Sequence, residues 1–376
     1  MHRLKYITRL DHVEGLKNGD REELKRVTER FAFRANEYYL SLIDWDDPDD
    51  PIRRVIVPDI RELEPWGDLD ASKESLYKKA PGLEHKYETI ALILTTNVCG
   101  AFCRFCFRKR LFMNDNQEVE RDLTKAFEYI EAHTELTNVL LTGGDPLILS
   151  TNKLGRIIGR LREMDHIKII RIGTKMPVFN PYRIVRDPSL VDMLGRYSTM
   201  KRRIYVIVHF NHPRELTDVA LEGMDSLQRA GVITVNQTPL IAGVNDDPAV
   251  LADLFTKLSF YGIAPYYIFQ CRPTLGNKTY AVPVEAGYEI VEEAKNRCAG
   301  LAKRSRYVMS HRTGKIEIVG LTRDHIYFKY HRAATSGECG RFMIFKRNPE
   351  AYWFDDYTEL VDEAYIADSL HLQIAE

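Results

Sequence analysis

The chain of 376 residues has few cysteines, almost no net charge and no long apolar run. A formal net charge of -1 and a pI of about 6.8 leave no electrostatic footprint for nucleic acid or an anionic membrane surface. The longest apolar stretches, such as IYVIVHF ending at Phe210, suit buried strands and fall far short of the roughly 20 residues of a membrane span. MHRLKYITRL at the start has neither a continuous apolar segment nor a small-residue cleavage site, so no signal peptide is expected and the reading is cytoplasmic. Internal repeats and low-complexity tracts are also missing. The 44% hydrophobic content is enough for a substantial core, and the length suits one large catalytic domain with additions at both ends.

Against six cysteines in the whole chain, three fall within eight residues, Cys99, Cys103 and Cys106 in TTNVCGAFCRFCFRKR. C-x3-C-x2-C on one loop can supply three thiolates to three irons of a cubane cluster and leave the fourth iron open for chemistry. A structural zinc site would want a fourth ligand and usually paired C-x2-C units, and no second pair follows. A reducing compartment suits an oxygen-sensitive cluster.

Three regions follow from the pattern. Residues 1–87 open with an amphipathic pattern, REELKRVTERFAFRANEYYLSLI, which predicts a helix, and DWDDPDDP then reads as an exposed acidic linker. Across 88–300 short apolar strands alternate with helices: ETIALILTT, NVLLTGG, IKIIRIG, RIYVIVHF, VITVNQTPL and PYYIFQ. Such alternation predicts an α/β fold, a parallel sheet closed as a partial (β/α)6 TIM-like barrel, with its active site at the C-terminal strand ends. The cysteine loop, Gly143-Gly144-Asp145, Arg171-Ile172-Gly173, His209 to His212, Asn236-Gln237 and Gln270-Cys271-Arg272 all fall there, and their shared phase is the signal. Residues 301–376 form a C-terminal α+β extension.

The cysteine motif looks like the radical S-adenosylmethionine (SAM) signature, and from about Glu84 to Lys315 the chain resembles the lysine 2,3-aminomutase family. CRFCFRKR, LLTGGDPL, RIGTKMPVFNPYRI, HFNHPREL, NQTPLIAGVND and PYYIFQCRPTLG carry the likeness. The resemblance implies an isomerase with a [4Fe-4S] cluster, SAM and pyridoxal 5'-phosphate (PLP). A 5'-deoxyadenosyl radical takes a hydrogen from the β-carbon of an amino acid held as a PLP imine, and the nitrogen migrates from α to β. The cofactors carry that chemistry. A small-molecule amino acid substrate and a one-electron reductant such as flavodoxin or ferredoxin are implied partners.

By the same resemblance, Cys99, Cys103 and Cys106 are the cluster ligands, and Gly143, Gly144 and Asp145 hold the methionine amino group of SAM, with His209 and Gln237 facing SAM or its neighbours. Arg108 matches the arginine that takes the substrate α-carboxylate, for which a guanidinium fork is well shaped; a solvated basic face over Arg108, Lys109 and Arg110 is the alternative. Lys315 in SHRTGKIEIVG is the candidate PLP lysine. Its flanks alternate like a hairpin, which leaves a plain turn lysine open. Lys86 and Tyr87 match a phosphate-binding pair, while Ile90 replaces a second arginine expected there.

Lysine aminomutases hold the substrate ε-ammonium with two aspartates. Arg272 stands at the first position, and Val308 and Met309 near the second. An arginine near an ammonium is unfavourable by about 4 kcal/mol at an effective dielectric of about 20. An acidic amino acid such as glutamate is therefore expected in place of lysine, unless Arg272 points elsewhere or pairs with a nearby acid. The family's zinc-binding cysteines are unmatched, since Cys339 stands alone. Trp353 and Phe354 read as packing or as contacts of a homo-oligomer. Two other classes stay open: a radical SAM oxidoreductase, lyase or protein side-chain modifier without PLP, and a cluster-bearing protein without turnover.

Overall fold

The computed structural model describes residues 4–113 and 116–365. The N-terminal helix α1 (Asn18–Arg30) ends sooner than its pattern predicts. From Phe31 the chain is extended, because Phe31, Phe33 and Ala35 are buried at alternate positions, as on a strand. Ala35–Asn36 pairs with Tyr6–Ile7, and the Asn36 side chain caps the short helix Glu37–Leu40. The acidic run is largely exposed, as read, except at its last acid: Asp50 is buried and caps α2 (Pro51–Ile56), with proline at the first helical turn and Arg214 Nη1 at 2.5 Å from its carboxylate.

A hairpin of β1 (Lys78–Ala80) and β2 (Leu83–Tyr87) leads into the parallel strands. These are β3 (Ile90–Thr96), β4 (Asn138–Gly143), β5 (Ile169–Thr174), β6 (Arg203–Val208), β7 (Ile233–Pro239) and β8 (Ala264–Phe269), paired in chain order. Helices α3 (Thr124–Ala132), α4 (Thr151–Arg162), α5 (Pro188–Tyr197), α6 (Asp218–Arg229), α7 (Pro248–Phe260) and α8 (Val284–Asn296) fill the crossovers and the segment after β8. Polar caps start several of them: Ser150 for α4, Asp187 with Pro188 for α5, Thr217 for α6 and Asp247 with Pro248 for α7.

After α8, β9 (Arg306–His311) adds a seventh parallel strand beside β8. β10 (Gly314–Leu321), β11 (His325–Ala333), β12 (Phe342–Lys346) and β13 (Leu360–Ala364) then continue antiparallel, so one sheet of 13 strands runs in chain order from β1 to β13. The hairpin read around Lys315 is β9–β10, with His311 opposite Gly314. Phe354 packs edge-on against Phe328 and Phe345, and Trp353 is buried, so both serve packing. No helix among the described residues is long and apolar enough to cross a membrane.

The region before the sheet grips the cysteine loop. Arg104, between two cysteines, is buried and makes a two-pronged bond to Glu62, Nε to Oε1 at 2.9 Å and Nη2 to Oε2 at 2.7 Å, while Nη1 donates to the Ala32 carbonyl. Tyr280 OH and the Asp59 amide also donate to Glu62. Removing one partner of a buried ion pair strands the other, at about 3–5 kcal/mol. Arg104→Met is therefore expected to destabilise the protein by about that amount in a urea melt. Adding Glu62→Leu should recover only part of the loss, because Tyr280 and the Asp59 amide then lose their acceptor.

Candidate active site

One cavity of about 680 Å³ opens at the C-terminal ends of the parallel strands. Every residue given a role above lines it: Cys99, Cys103 and Cys106; Gly143, Gly144 and Asp145; His209 and Gln237; Arg108 and Arg272; Lys86, Tyr87 and Lys315. The strand phase brings together the groups at the ends of the parallel strands and on the loops after them, while Lys86, Tyr87 and Lys315 reach the same cavity from the antiparallel strands β2 and β10.

At the cysteine end, burial raises all three thiol pKa values, that of Cys103 to about 12 and that of Cys99 well above its usual value. Buried thiols of this kind ionise only with a cation beside them, which iron supplies. Among the described residues no three His, Cys, Asp or Glu side chains crowd closely enough to ligate a single ion. Cubane ligands bind separate irons, so this spacing is compatible with three thiolates around a cluster. The loop is tied down by Arg34 Nε on the Cys99 carbonyl at 2.8 Å and by Asn36 Nδ2 on the Gly100 carbonyl at 3.1 Å.

The turn after β4 packs directly on that loop. Gly143 has φ +115°, and a Cβ there would stand 2.5 Å from the Thr96 carbonyl oxygen; at Gly144 it would stand 2.3 Å from that of Val98. Only glycine fits either place. The Asp145 carboxylate accepts from Thr174 Oγ1 at 2.7 Å and from the Lys175 and Leu147 amides at 2.7 and 3.0 Å. It braces the ends of β4 and β5, and burial pushes its pKa up to about 6 despite those bonds. His209 is neutral, lowered to about 3 by burial and by Lys175, whose Nζ lies 2.8 Å from Glu215. Neither polar atom of the buried Asn211 side chain, which lines the cavity, has a protein partner. That orphaned amide fits a polar ligand beside the cysteine loop.

Lys315 lies on β10, inside the cavity, with its amine 4.9 Å from the Tyr267 ring centre and 4.7 Å from that of Phe269. The turn-lysine reading does not hold. Burial, with Arg272, Arg171, Lys86 and Arg332 nearby, lowers its pKa well below the usual lysine value, which favours the neutral form that attacks a carbonyl. Lys86 donates to the His311 carbonyl at 2.5 Å and is lowered to about 8, by burial first. Two further cations line the cavity. Arg171 is bonded to Asn138 Oδ1, and Arg332 lies 4.7 Å from the Tyr87 ring centre and bonds Thr89. Among the described residues neither is bonded to a carboxylate. A charged residue inside the apolar strand β5 was the available signal for Arg171; Arg332 comes from far along the chain and gave none.

The basic run after the cysteines is not a solvated face, since Arg108, Lys109 and Arg110 are all buried. Arg108 holds Glu74 with two bonds, Nε to Oε2 at 3.0 Å and Nη2 to Oε1 at 2.7 Å, and its Nη1 bonds Thr142 Oγ1. Arg110 donates to Glu74 as well and also to Glu118. Arg272 faces the cavity, stacked 3.5 Å above the Phe107 ring centre, with Nη1 3.9 Å from Glu74 and without a hydrogen-bond partner. The substrate end thus contains acids that strand spacing did not reveal, and the expected reversal of its sign is incomplete. Burial alone would raise the Glu74 pKa, but Arg108, Arg110 and Arg272 hold it below the usual carboxylate range; Glu84 is pushed up to about 8, by burial and then by Glu74.

The radical SAM superfamily model matches residues 93–255. A protein of Aquifex aeolicus provisionally named L-lysine 2,3-aminomutase is 56% identical over 96% of this chain and 97% of its own length. The L-lysine 2,3-aminomutase of Clostridium subterminale is 37% identical over 80% of this chain and 71% of its own length. Glutamate 2,3-aminomutase of Clostridioides difficile is 33% identical over 80% of this chain and 70% of its own length. A radical SAM domain implies a [4Fe-4S] cluster, SAM, a small-molecule substrate and a reductant. With the cysteine loop, the glycine turn and the strand-end cavity in one place, the chain belongs to the lysine 2,3-aminomutase family of radical SAM enzymes.

Proposed function

We propose that this protein is a PLP-dependent 2,3-aminomutase that moves the amino group of an acidic amino acid, such as glutamate, from the α- to the β-carbon. The observation that carries the reading is the Lys315 amine in the same cavity as the three cysteines, with its pKa lowered by burial and by the cations around it. Relatives bear both lysine and glutamate names, so the choice between substrates rests on charge. Arg108, Arg110 and Arg272 face the acids Glu74, Glu118 and Asp70, which match them in number, while Glu84 is pushed up to about 8. Arg272 has its ion-pair partner only at 3.9 Å and keeps an unpartnered nitrogen, and its local field favours a second carboxylate over an ammonium.

Cys99, Cys103 and Cys106 would hold the cluster, and the glycine turn with Asn211, His209 and Gln237 would hold SAM. Lys315 would hold PLP, with Lys86, Tyr87, Arg171 and Arg332 around its phosphate. Bound there, cluster and SAM supply a 5'-deoxyadenosyl radical, and PLP keeps the migrating nitrogen attached. The chain's own work is placement and exclusion. The lowered pKa of Lys315 favours the neutral amine that attacks, Arg171 and Arg332 attract phosphate, and Tyr87 and Tyr267 wall the site with apolar ring faces that keep water out.

Anaerobic reconstitution and a screen of free amino acids for 5'-deoxyadenosine and β-amino products test the proposal; β-lysine in place of an acidic product would sink the substrate assignment. Changing any of Cys99, Cys103 or Cys106 to Ala should abolish SAM cleavage and leave the circular dichroism of the fold intact. Lys315→Ala should lose bound PLP on gel filtration, and borohydride treatment of the wild-type holoenzyme should leave a pyridoxyl group on Lys315 by mass spectrometry. Retention of PLP by the variant at wild-type stoichiometry would point to a radical SAM reaction of another type. Arg272→Ala should lower kcat/KM for the acidic substrate by about 2–5 kcal/mol, the range for breaking a buried charge pair, while SAM cleavage in the absence of substrate persists.

A further inference from the structure

The acid that occupies Arg108 comes from a strap over the cavity mouth. Residues 68–77 cross from the loop after β8 to β1: Asp68 pairs with Pro273 and Leu275, Ser72 Oγ donates to the Ser310 carbonyl, and Tyr77 OH donates to the Arg312 carbonyl. The Asp70 side chain holds the Glu74 and Ser75 amides at 2.8 and 3.1 Å. The turn Glu74–Tyr77 buries no residue, Leu76 is 69% exposed, and Lys73 is the only non-glycine with positive φ among the described residues. With no buried apolar residue on this turn, the segment is held chiefly by the ion cluster of Glu74 and Asp70 with Arg108, Arg110 and Arg272, so a ligand that takes over those arginines loosens it.

Glu74 meets Arg108 in the two-pronged geometry a ligand carboxylate would use, and Thr142 takes the third nitrogen, so no edge of that guanidinium is free. Arg272, by contrast, has an unpartnered nitrogen 3.9 Å from the same carboxylate. A dicarboxylic amino acid needs both cations, yet the chain's own acid already fills one. We propose that Glu74 is an internal competitor for the substrate carboxylate: it occupies Arg108 in the empty enzyme, a substrate enters by displacing it and lifting residues 70–77, and it thereby sets how strongly a ligand must bind the arginine cluster to be admitted. This inference rests on the assignment of Arg108 and Arg272 to substrate carboxylates. It adds a specificity-determining residue from outside the barrel strands.

The probe is glutarate, a dicarboxylate without an amino group, whose binding does not depend on PLP chemistry. Calorimetric titration into the reconstituted holoenzyme, without reductant so that SAM stays intact, should give a Kd at least tenfold lower for Glu74→Gln than for wild type. Equal or weaker binding by the variant, or no glutarate binding by either protein, would overturn the proposal, because a purely structural Glu74 predicts a disordered Arg108 and a poorer site. A second measurement needs no variant. Hydrogen exchange on the wild-type holoenzyme should speed up at the Glu74 and Ser75 amides on saturation with glutarate, whereas unchanged or slower exchange there counts against displacement. If glutarate behaves as expected but no acidic amino acid yields a β-amino product, the competitor stands and the substrate assignment falls.

Discussion

The Arg104–Glu62 pair is the contact on which the cysteine loop depends. Ala101 and Phe105 give the loop an apolar footing, but its backbone groups and the charge in its midst still need partners. Arg104 supplies the anchor from within the motif, and Glu62, fully enclosed, collects it together with Tyr280 and the Asp59 amide. Its burial is tolerable because Arg104 meets both carboxylate oxygens and Tyr280 and the Asp59 amide add donors to Oε1. The N-terminal region thereby becomes part of the site: Ala32, Arg34 and Asn36 each bond backbone or side chains of the cysteine loop, which requires the chain to run extended from Phe31 where a continuing helix would turn away.

Charge is distributed unevenly along the cavity. Around Arg108 the cations are neutralised by Glu74, Glu118 and Asp70, whereas Arg171, Arg332 and Lys86 gather near Lys315, and among the described residues none of these is bonded to a carboxylate. Burying unpaired cations costs free energy, and depression of the lysine pKa values is the protein's way of lowering that cost. An anion entering this end would restore charge balance and, by mass action, stabilise the fold that binds it. The unpartnered side chain of Asn211 at the other end has the same logic on a smaller scale.

The parallel strands were readable because each places alternate residues in the core and ends in polar or glycine residues at one edge; Gly143-Gly144 and the C-x3-C-x2-C loop are local patterns whose meaning does not depend on distant partners. The failures were long-range. Periodic apolar residues from Glu23 to Ile43 could serve a helix or a strand, and only pairing of Ala35–Asn36 with Tyr6–Ile7 decides between them. Asp50 sat in an acidic run that looked solvated until its cap and its bond to Arg214 came into view. Glu74 and Arg332 lie outside any motif, and tertiary packing alone brings them to the cavity.

The substrate end shows why a shared scaffold does not fix the substrate. The strands, glycine turn and cysteine loop place radical and amino acid relative to each other and are indifferent to the far end of the side chain. The proposed reader of that end, Arg272, has Glu74 beside it, and Glu74 in turn helps push Glu84 up, so each charge depends on burial and on Glu74. Sign at such a site is collective: Arg272 alone suggests a purely cationic pocket, while Glu74 draws part of that charge away without forming a close pair with it. A few residues from an irregular strap can thus change which amino acid is attracted and which is repelled, with the barrel unchanged beneath them.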